Sequence, residues 1–229
     1  MSLGPLLLTA ALGFGRPVVR WGVAASVRCS RAAPSSSASV GAKLPDVTLF
    51  EGQPEFAKAA ERSLAELTRG KTAVIFAVPG AFTPGCSVSH LPSFIERYDD
   101  LKNAGVDMVI CTATNDPCAR APRAARRAPP ARCHPPRAPR PRAHSYVMEA
   151  WGRASGVARG TILMLSDKEA KLCRALGVAT ESDVMVRSER YALIAKDGVI
   201  SAWLPAAMPG GEKKSENTYA PSVLAALRG

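Results

Sequence analysis

The chain has 229 residues, 47% of them hydrophobic, and a formal charge of +11. That length suits one core-forming domain with additions. The charge, taken whole, points to a nucleic acid or a membrane surface, but 13 of the 30 Lys and Arg residues lie in two acid-free segments, 1–45 and 118–145, leaving 17 basic against 19 acidic residues elsewhere.

A basic groove in the core is therefore not supported, and no nucleic acid is expected from the core. No run of about 18 apolar residues occurs, so no spanning helix and no membrane partner are expected. The six cysteines, Cys29, Cys86, Cys111, Cys118, Cys133 and Cys173, are too few and too scattered for a disulfide-stapled secreted fold. No Cys-x-x-Cys occurs, which counts against a structural zinc site and a dithiol oxidoreductase.

Residues 1–40 read as an organellar transit peptide. They are rich in Ala, Ser, Val and Leu, carry Arg16, Arg20, Arg28 and Arg31, and have no acid before Asp46. A secretory signal is disfavoured because the arginines follow the apolar Leu3–Leu12 run instead of preceding it. Val27-Arg28-Cys29-Ser30 and the Ser-rich tract after it favour a plastid over a mitochondrion.

The domain proper is expected over 41–229. Val47–Phe50 reads as a short strand, and Ser63–Leu67 as a short helix with Ser63 as N-cap and Gly70 as its stop. Ala73–Val78 is a buried strand, ended by Pro79 and Gly80. From Cys86 to Asn103, Leu91, Phe94, Ile95, Tyr98 and Leu101 recur at helical spacing. Gly105 ends that helix, and Val106–Cys111 is a second buried strand.

Residues 118–145 are almost wholly Ala, Arg and Pro. Frequent proline prevents helix and central strand, and there is no apolar bulk to bury, so this stretch is expected to be disordered. Cys118 with Cys133-His134 is a weak metal signal without a scaffold. Beyond it, Tyr146–Ala154 reads as helix, Thr161–Leu165 as strand and Lys168–Leu176 as helix ended by Gly177. Tyr191–Ala195 and Val199–Leu204 form a hairpin through an Asp-Gly turn. Strands alternating with helices, then a closing hairpin, predict an α/β fold with a mixed central sheet and helices on both faces.

Cys86 thus sits where a strand has ended and a helix begins. A helix start offers free N–H donors and partial positive charge, which favour a thiolate. Thr83, three residues earlier, can aim a hydroxyl at the sulfur. The run Val78-Pro79-Gly80-Ala81-Phe82-Thr83-Pro84-Gly85-Cys86-Ser87, with His90-Leu91-Pro92 after it, contains Pro79-x-x-x-Thr83-x-x-Cys86. It resembles the active-site motif of the peroxiredoxin-5 and plant type II peroxiredoxin family. The resemblance extends from about Lys43 to the C-terminus, apart from 118–145. In that family Asn-Asp-Pro would lead straight to the aromatic and Val-Met-x-Ala-Trp that resume here at Tyr146–Trp151, so 118–145 is an insertion of 28 residues.

The resemblance implies a thioredoxin-like fold and a thiol peroxidase for hydrogen peroxide and alkyl hydroperoxides, working through a cysteine sulfenic acid. The implied nucleophile is Cys86. Thr83 would accept from the peroxide and donate to the sulfur, and Pro79 would shield the sulfur from water. Arg190, in Arg187-Ser188-Glu189-Arg190-Tyr191, matches the family's active-site arginine, with Arg187 as the weaker alternative. A fixed planar cation suits that role. Cys111, 25 residues after Cys86, matches the second cysteine of plant type II members and is the candidate resolving residue. His90 lines the pocket or packs. Cys173, within a helical pattern, reads as structural. Thioredoxin, or glutaredoxin with glutathione, is the implied reductant, a homodimer the candidate assembly, and no cofactor or metal is called for.

Two alternatives stand beside this. One is a redox sensor or scaffold in which Cys86 is oxidised with little turnover. The other is a binder of nucleic acid or anionic surfaces through 118–145. The segment itself reads either as an electrostatic tether or, preferred here, as a passive insertion, translated intronic sequence included.

Overall fold

The computed structural model describes residues 38–53, 58–114, 144–181, 185–206 and 214–229. Strand β1 is Thr48–Glu51, β2 Ala60–Ser63, β3 Thr72–Ala77 and β4 Met108–Ala113. Strand β5 is Ile162–Ser166, β8 Tyr191–Lys196 and β9 Val199–Pro205. Between the last two groups, β6 (Ala179–Glu181) and β7 (Val186–Ser188) form a separate antiparallel pair.

The main sheet has seven strands in the order β2-β1-β5-β4-β3-β8-β9. Strands β3, β4 and β5 run parallel, with Phe76, Cys111 and Met164 in one register row. After its first residue each of β3 and β4 is buried throughout, as a parallel strand covered on both faces must be. The outer strands are antiparallel. The β8–β9 hairpin turns at Asp197 and Gly198, both at positive φ (49° and 73°). That geometry closes a two-residue hairpin.

Helices cover both faces. Helix α1 is Leu64–Thr68, α2 Leu91–Glu96, α3 Tyr98–Asn103, α4 His144–Ala154, α5 Lys171–Ala175 and α6 Ala220–Arg228. One core joins Val74, Phe76 and Cys111 to Leu91, Phe94, Leu101, Met148, Trp151 and Val223. The other joins Ile75, Ile110 and Leu193 to Leu64, Leu172 and Leu176. The fold is thioredoxin-like, a mixed sheet between helical layers. No helix among the described residues is long and apolar enough to cross a membrane.

Several expected bounds shift for local reasons. Ser63 caps α1 as read, its Oγ accepting from the Glu66 N–H at 3.2 Å. The single helix expected over Cys86–Asn103 is a π-helical turn, Cys86–His90, followed by α2 and α3, with a break at Arg97 (φ −104°, ψ 15°). The helix expected from Lys168 starts at Lys171, because Ala170 takes a left-handed conformation (φ 55°). Helix α4 begins at His144, inside the stretch expected to be disordered and two residues ahead of the expected Tyr146.

The remainder of 118–145 and residues 1–37 lie outside the described residues. Ala38 is buried against the second core, and the Gly41 and Leu44 N–H groups donate to Ile200 and Gly198 carbonyls at 2.8 Å. The folded part therefore includes Ala38, within the stretch expected as leader.

Candidate active site

Strand β3 carries its ladder one residue past its end, where the Val78 N–H donates to the Thr112 carbonyl at 3.0 Å. Pro79, half-buried, has no N–H to continue it. The chain then turns through Gly80–Gly85. Phe82 in this loop sits at φ 59° and is 48% exposed, a backbone region that costs a bulky residue energy and that clusters at functional sites.

At the end of the loop the Ser87 N–H donates to the Thr83 carbonyl at 2.9 Å, and helical winding begins. From Cys86 it takes the form of a π-turn, closed by the Leu91 N–H on the Cys86 carbonyl. Single π-turns are rare and recur at functional sites. Cys86 opens this turn and is 1% exposed.

Arg190, on the residue before β8, crosses to it. Its Nη2 donates to Cys86 Sγ at 3.2 Å. Its Nη1 is buried and has no partner among the described residues. So the structure brings Cys86 and Arg190, 104 positions apart, into contact. Arg187 does not share this place: it lies on β7 with its Nε against Met185 Sδ.

Thr83 differs from expectation. Its hydroxyl donates to the Gly80 carbonyl at 2.9 Å, not to the sulfur. A hydroxyl has one proton, so Thr83 holds the loop and keeps only lone pairs for another group.

His90 is no residue of an open pocket. It is fully buried, with ring centroids of Phe76, Phe94 and Tyr219 at 5.1, 5.7 and 5.1 Å. Its Nε2 lies 3.0 Å from the Thr218 carbonyl. A carbonyl only accepts, so Nε2 carries the proton and donates. Burial first and the nearby Arg190 charge second push the imidazole down to about 3, against the opposing Thr218 bond. His90 is thus neutral at physiological pH.

Cys111 is a free, fully buried thiol in the same apolar cluster as Cys86. Burial chiefly, and Cys86 after it, push the thiol well above its usual range, with Arg190 pulling the other way. Cys173 belongs to the opposite layer. Its Sγ–H donates to the Ala170 carbonyl at 3.4 Å, and burial, followed by buried Asp167, pushes it up to about 12. Neither is a poised nucleophile.

One contact escaped sequence reasoning. Trp151 Nε1 donates to Ser87 Oγ at 3.0 Å, tying α4 to the residue after Cys86. The helical spacing of Val147, Met148 and Trp151 marks the indole as core, but nothing in it names Ser87. A cleft of about 840 Å³ lies elsewhere: Met108, Val109, Ile162 and Leu163 line it, at the start of β4 and β5, whereas Cys86 follows the end of β3. No group of three or more His, Cys, Asp or Glu that could hold a metal ion exists among the described residues.

Comparison with known proteins places the chain in a family. The Redoxin family profile matches residues 39–132 and 138–219. The chain is 41% identical over 167 residues to "Peroxiredoxin-2E-2, chloroplastic" of Oryza sativa, covering 71% of this chain and 62% of that protein. It is 33% identical over 171 residues to "Peroxiredoxin-2E, chloroplastic" of Arabidopsis thaliana, covering 72% and 61%. The chain thus spans about three fifths of the length of these curated relatives. Among solved structures it is similar to reduced Prx3 of Vibrio vulnificus in complex with hydrogen peroxide. That match has a TM-score of 0.62 and 33% identity, over 82% of this chain and 98% of that one. Because the profile takes in Cys86 in its first stretch and Arg190 in its second, it covers both partners of the sulfur–guanidinium contact, and the chain belongs to the Redoxin family, among its peroxiredoxins.

Proposed function

We propose that the chain is a plastid thiol peroxidase that reduces hydrogen peroxide and small alkyl hydroperoxides at Cys86. The observation that carries this is the Arg190 Nη2 donor 3.2 Å from Cys86 Sγ. It gives a buried sulfur nucleophile a fixed cation, as peroxide reduction needs.

The sulfur attacks the terminal peroxide oxygen and the O–O bond breaks. Cys86 becomes a sulfenic acid, and the other oxygen leaves as water or an alcohol after taking a proton. Arg190, whose Nη1 has N–H groups to spare, supports the charge developing on the departing oxygen. Thr83, its own proton committed to Gly80, accepts from the peroxide O–H.

Cys111 then resolves the sulfenic acid: its sulfur attacks Cys86, a disulfide forms and water leaves. A buried, protonated Cys111 reacts slowly, so this step needs the Cys86 turn to open. Thioredoxin, or glutaredoxin with glutathione, returns both thiols, and the working unit is a homodimer. In this reading residues 1–40 contain the plastid leader, 41–229 the catalytic domain, and 118–145 a passive insertion. The chloroplastic relatives support the compartment.

The test is steady-state peroxide consumption with each reductant system. It compares the full chain, a deletion of 118–143 (sparing α4), Cys86→Ser and Arg190→Met. Turnover is expected in the first two, none with C86S, and a loss of about 10²-fold with R190M. An inactive full chain together with an inactive deletion would sink the peroxidase reading. Activity confined to the deletion would make the insertion disruptive.

A further inference from the structure

The π-turn that carries Cys86 is held at both ends, and only the first hold belongs to the chemistry above. At its far end His90 Nε2 faces both the carbonyl (3.0 Å) and the Oγ1 (3.2 Å) of Thr218. Thr218 closes the 3-10 turn Ser215–Thr218, and its hydroxyl proton goes to the Ser215 carbonyl at 2.7 Å. Both of its oxygens therefore accept from the one His90 N–H. A second tie runs alongside. Ser93 Oγ donates to the His90 carbonyl at 2.7 Å and accepts from the Ala220 N–H at 3.3 Å, at the start of α6.

His90 and Thr218 are both fully buried. The His90 Nδ1 has no partner among the described residues. A phenyl ring would pack among Phe76, Phe94 and Tyr219 without burying an unsatisfied nitrogen. A polar ring at such a position is explained by what its bonded side holds.

We propose that His90 is a positioning residue for Cys86: it anchors the nucleophile turn to the C-terminal segment and keeps the sulfur on Arg190. This rests on the peroxidase reading above. The turn links the two ends covalently and through the Leu91 N–H to Cys86 carbonyl bond. Releasing His90 loosens the register that sets the 3.2 Å sulfur–guanidinium contact. The same bond resists the opening that joins Cys86 to Cys111. Its loss therefore slows attack on peroxide and speeds disulfide closure, and recovery by a side chain that restores the N–H separates this role from general loosening of the core.

The experiment uses the full chain, His90→Phe, His90→Gln and Ser93→Ala. Each is mixed with one equivalent of hydrogen peroxide and quenched rapidly. Sulfenic acid is trapped with dimedone, and free thiols are counted over time. H90F is expected to lose about tenfold or more in the Cys86 oxidation rate, since small misplacements carry costs of this order, while closure accelerates. H90Q restores an N–H and recovers most of the oxidation rate. S93A, which cuts the parallel tie outside the aromatic cluster, shifts both rates in the same senses as H90F and carries the test where H90F does not fold. Parental rates in H90F, or in S93A when H90F is unfolded, overturn the inference, whatever happens to Tm. Failure of Cys86 to oxidise in the parent sinks the peroxidase reading and the inference together. Normal oxidation in the parent with unchanged rates in the variants sinks the inference alone.

Discussion

The buried imidazole of His90 has a consequence for acid stability. Its folded value near 3 lies below the ordinary 6.5 of an exposed histidine. Below pH 6.5 the unfolded chain takes up a proton that the folded chain refuses. Stability is thus intact above pH 6.5 and falls as pH drops toward 3, by up to about 1.4 kcal/mol per pH unit from this residue. Urea midpoints measured from pH 7 to pH 4 should show that slope in the parent, and H90Q should lack this contribution. At this scale the sequence was partly legible. Cys86 and Arg190 were identifiable because short strings around each resemble a known motif, although 104 positions separate them. The donor role of Thr83 was not, because a hydroxyl chooses among nearby acceptors, and here its proton goes to the Gly80 carbonyl within the loop. Nor was the Thr218 partner of His90, which depends on how the C-terminal segment folds back across 128 positions.

Among elements, α4 matters most, since it follows directly on the Arg- and Pro-rich stretch. It stays docked: Met148 and Trp151 are buried in the first core, and the indole reaches Ser87. Ser87→Ala leaves that N–H unsatisfied, so it should lower stability by about 1–3 kcal/mol in chemical denaturation. A change below about 0.5 kcal/mol would show that the bond is exposed to water in solution. The apolar strands β3, β4, β5 and β8 were readable because burial on both faces leaves a continuous apolar run. Strand β2 was not, because Ala60-Glu61-Arg62-Ser63 is an edge segment whose pairing with β1 is set by the backbone, with Arg62 bonded to Glu51 at 2.7 Å. Strands β6 and β7 are three residues each, too short for any period to show. Helix breaks at Arg97 and Ala170 went unseen because a one-residue change of φ leaves the apolar spacing intact.

For the whole molecule, the charge of +11 describes the additions more than the fold. The 118–145 stretch alone holds eight arginines and no acid. The described domain keeps its few exposed ion pairs short-range, such as Arg97 with Asp100 at 3.1 Å and Arg174 with Glu181 at 3.1 Å. Pairs like these contribute little each. Stability rests instead on two apolar layers, and both are filled from either side of the Arg-rich stretch. Phe76 and Phe94 come from before it; Trp151 and Val223 come from after it.

The strand order carries this further. Residues before the stretch supply β2, β1, β4 and β3, and those after it supply β5, β8 and β9, so that β5 lies between β1 and β4. Neither half has a closed sheet, and each holds one partner of the Cys86–Arg190 pair. A chain cut within 118–143 is therefore expected to behave as two complementing fragments that stay interlocked. Brief tryptic nicking at its arginines should give two bands on a denaturing gel, one species on gel filtration, and retained Cys86 oxidation by peroxide. Separation of the fragments in native buffer would show that covalent continuity, and not the interleaved sheet, holds the site together.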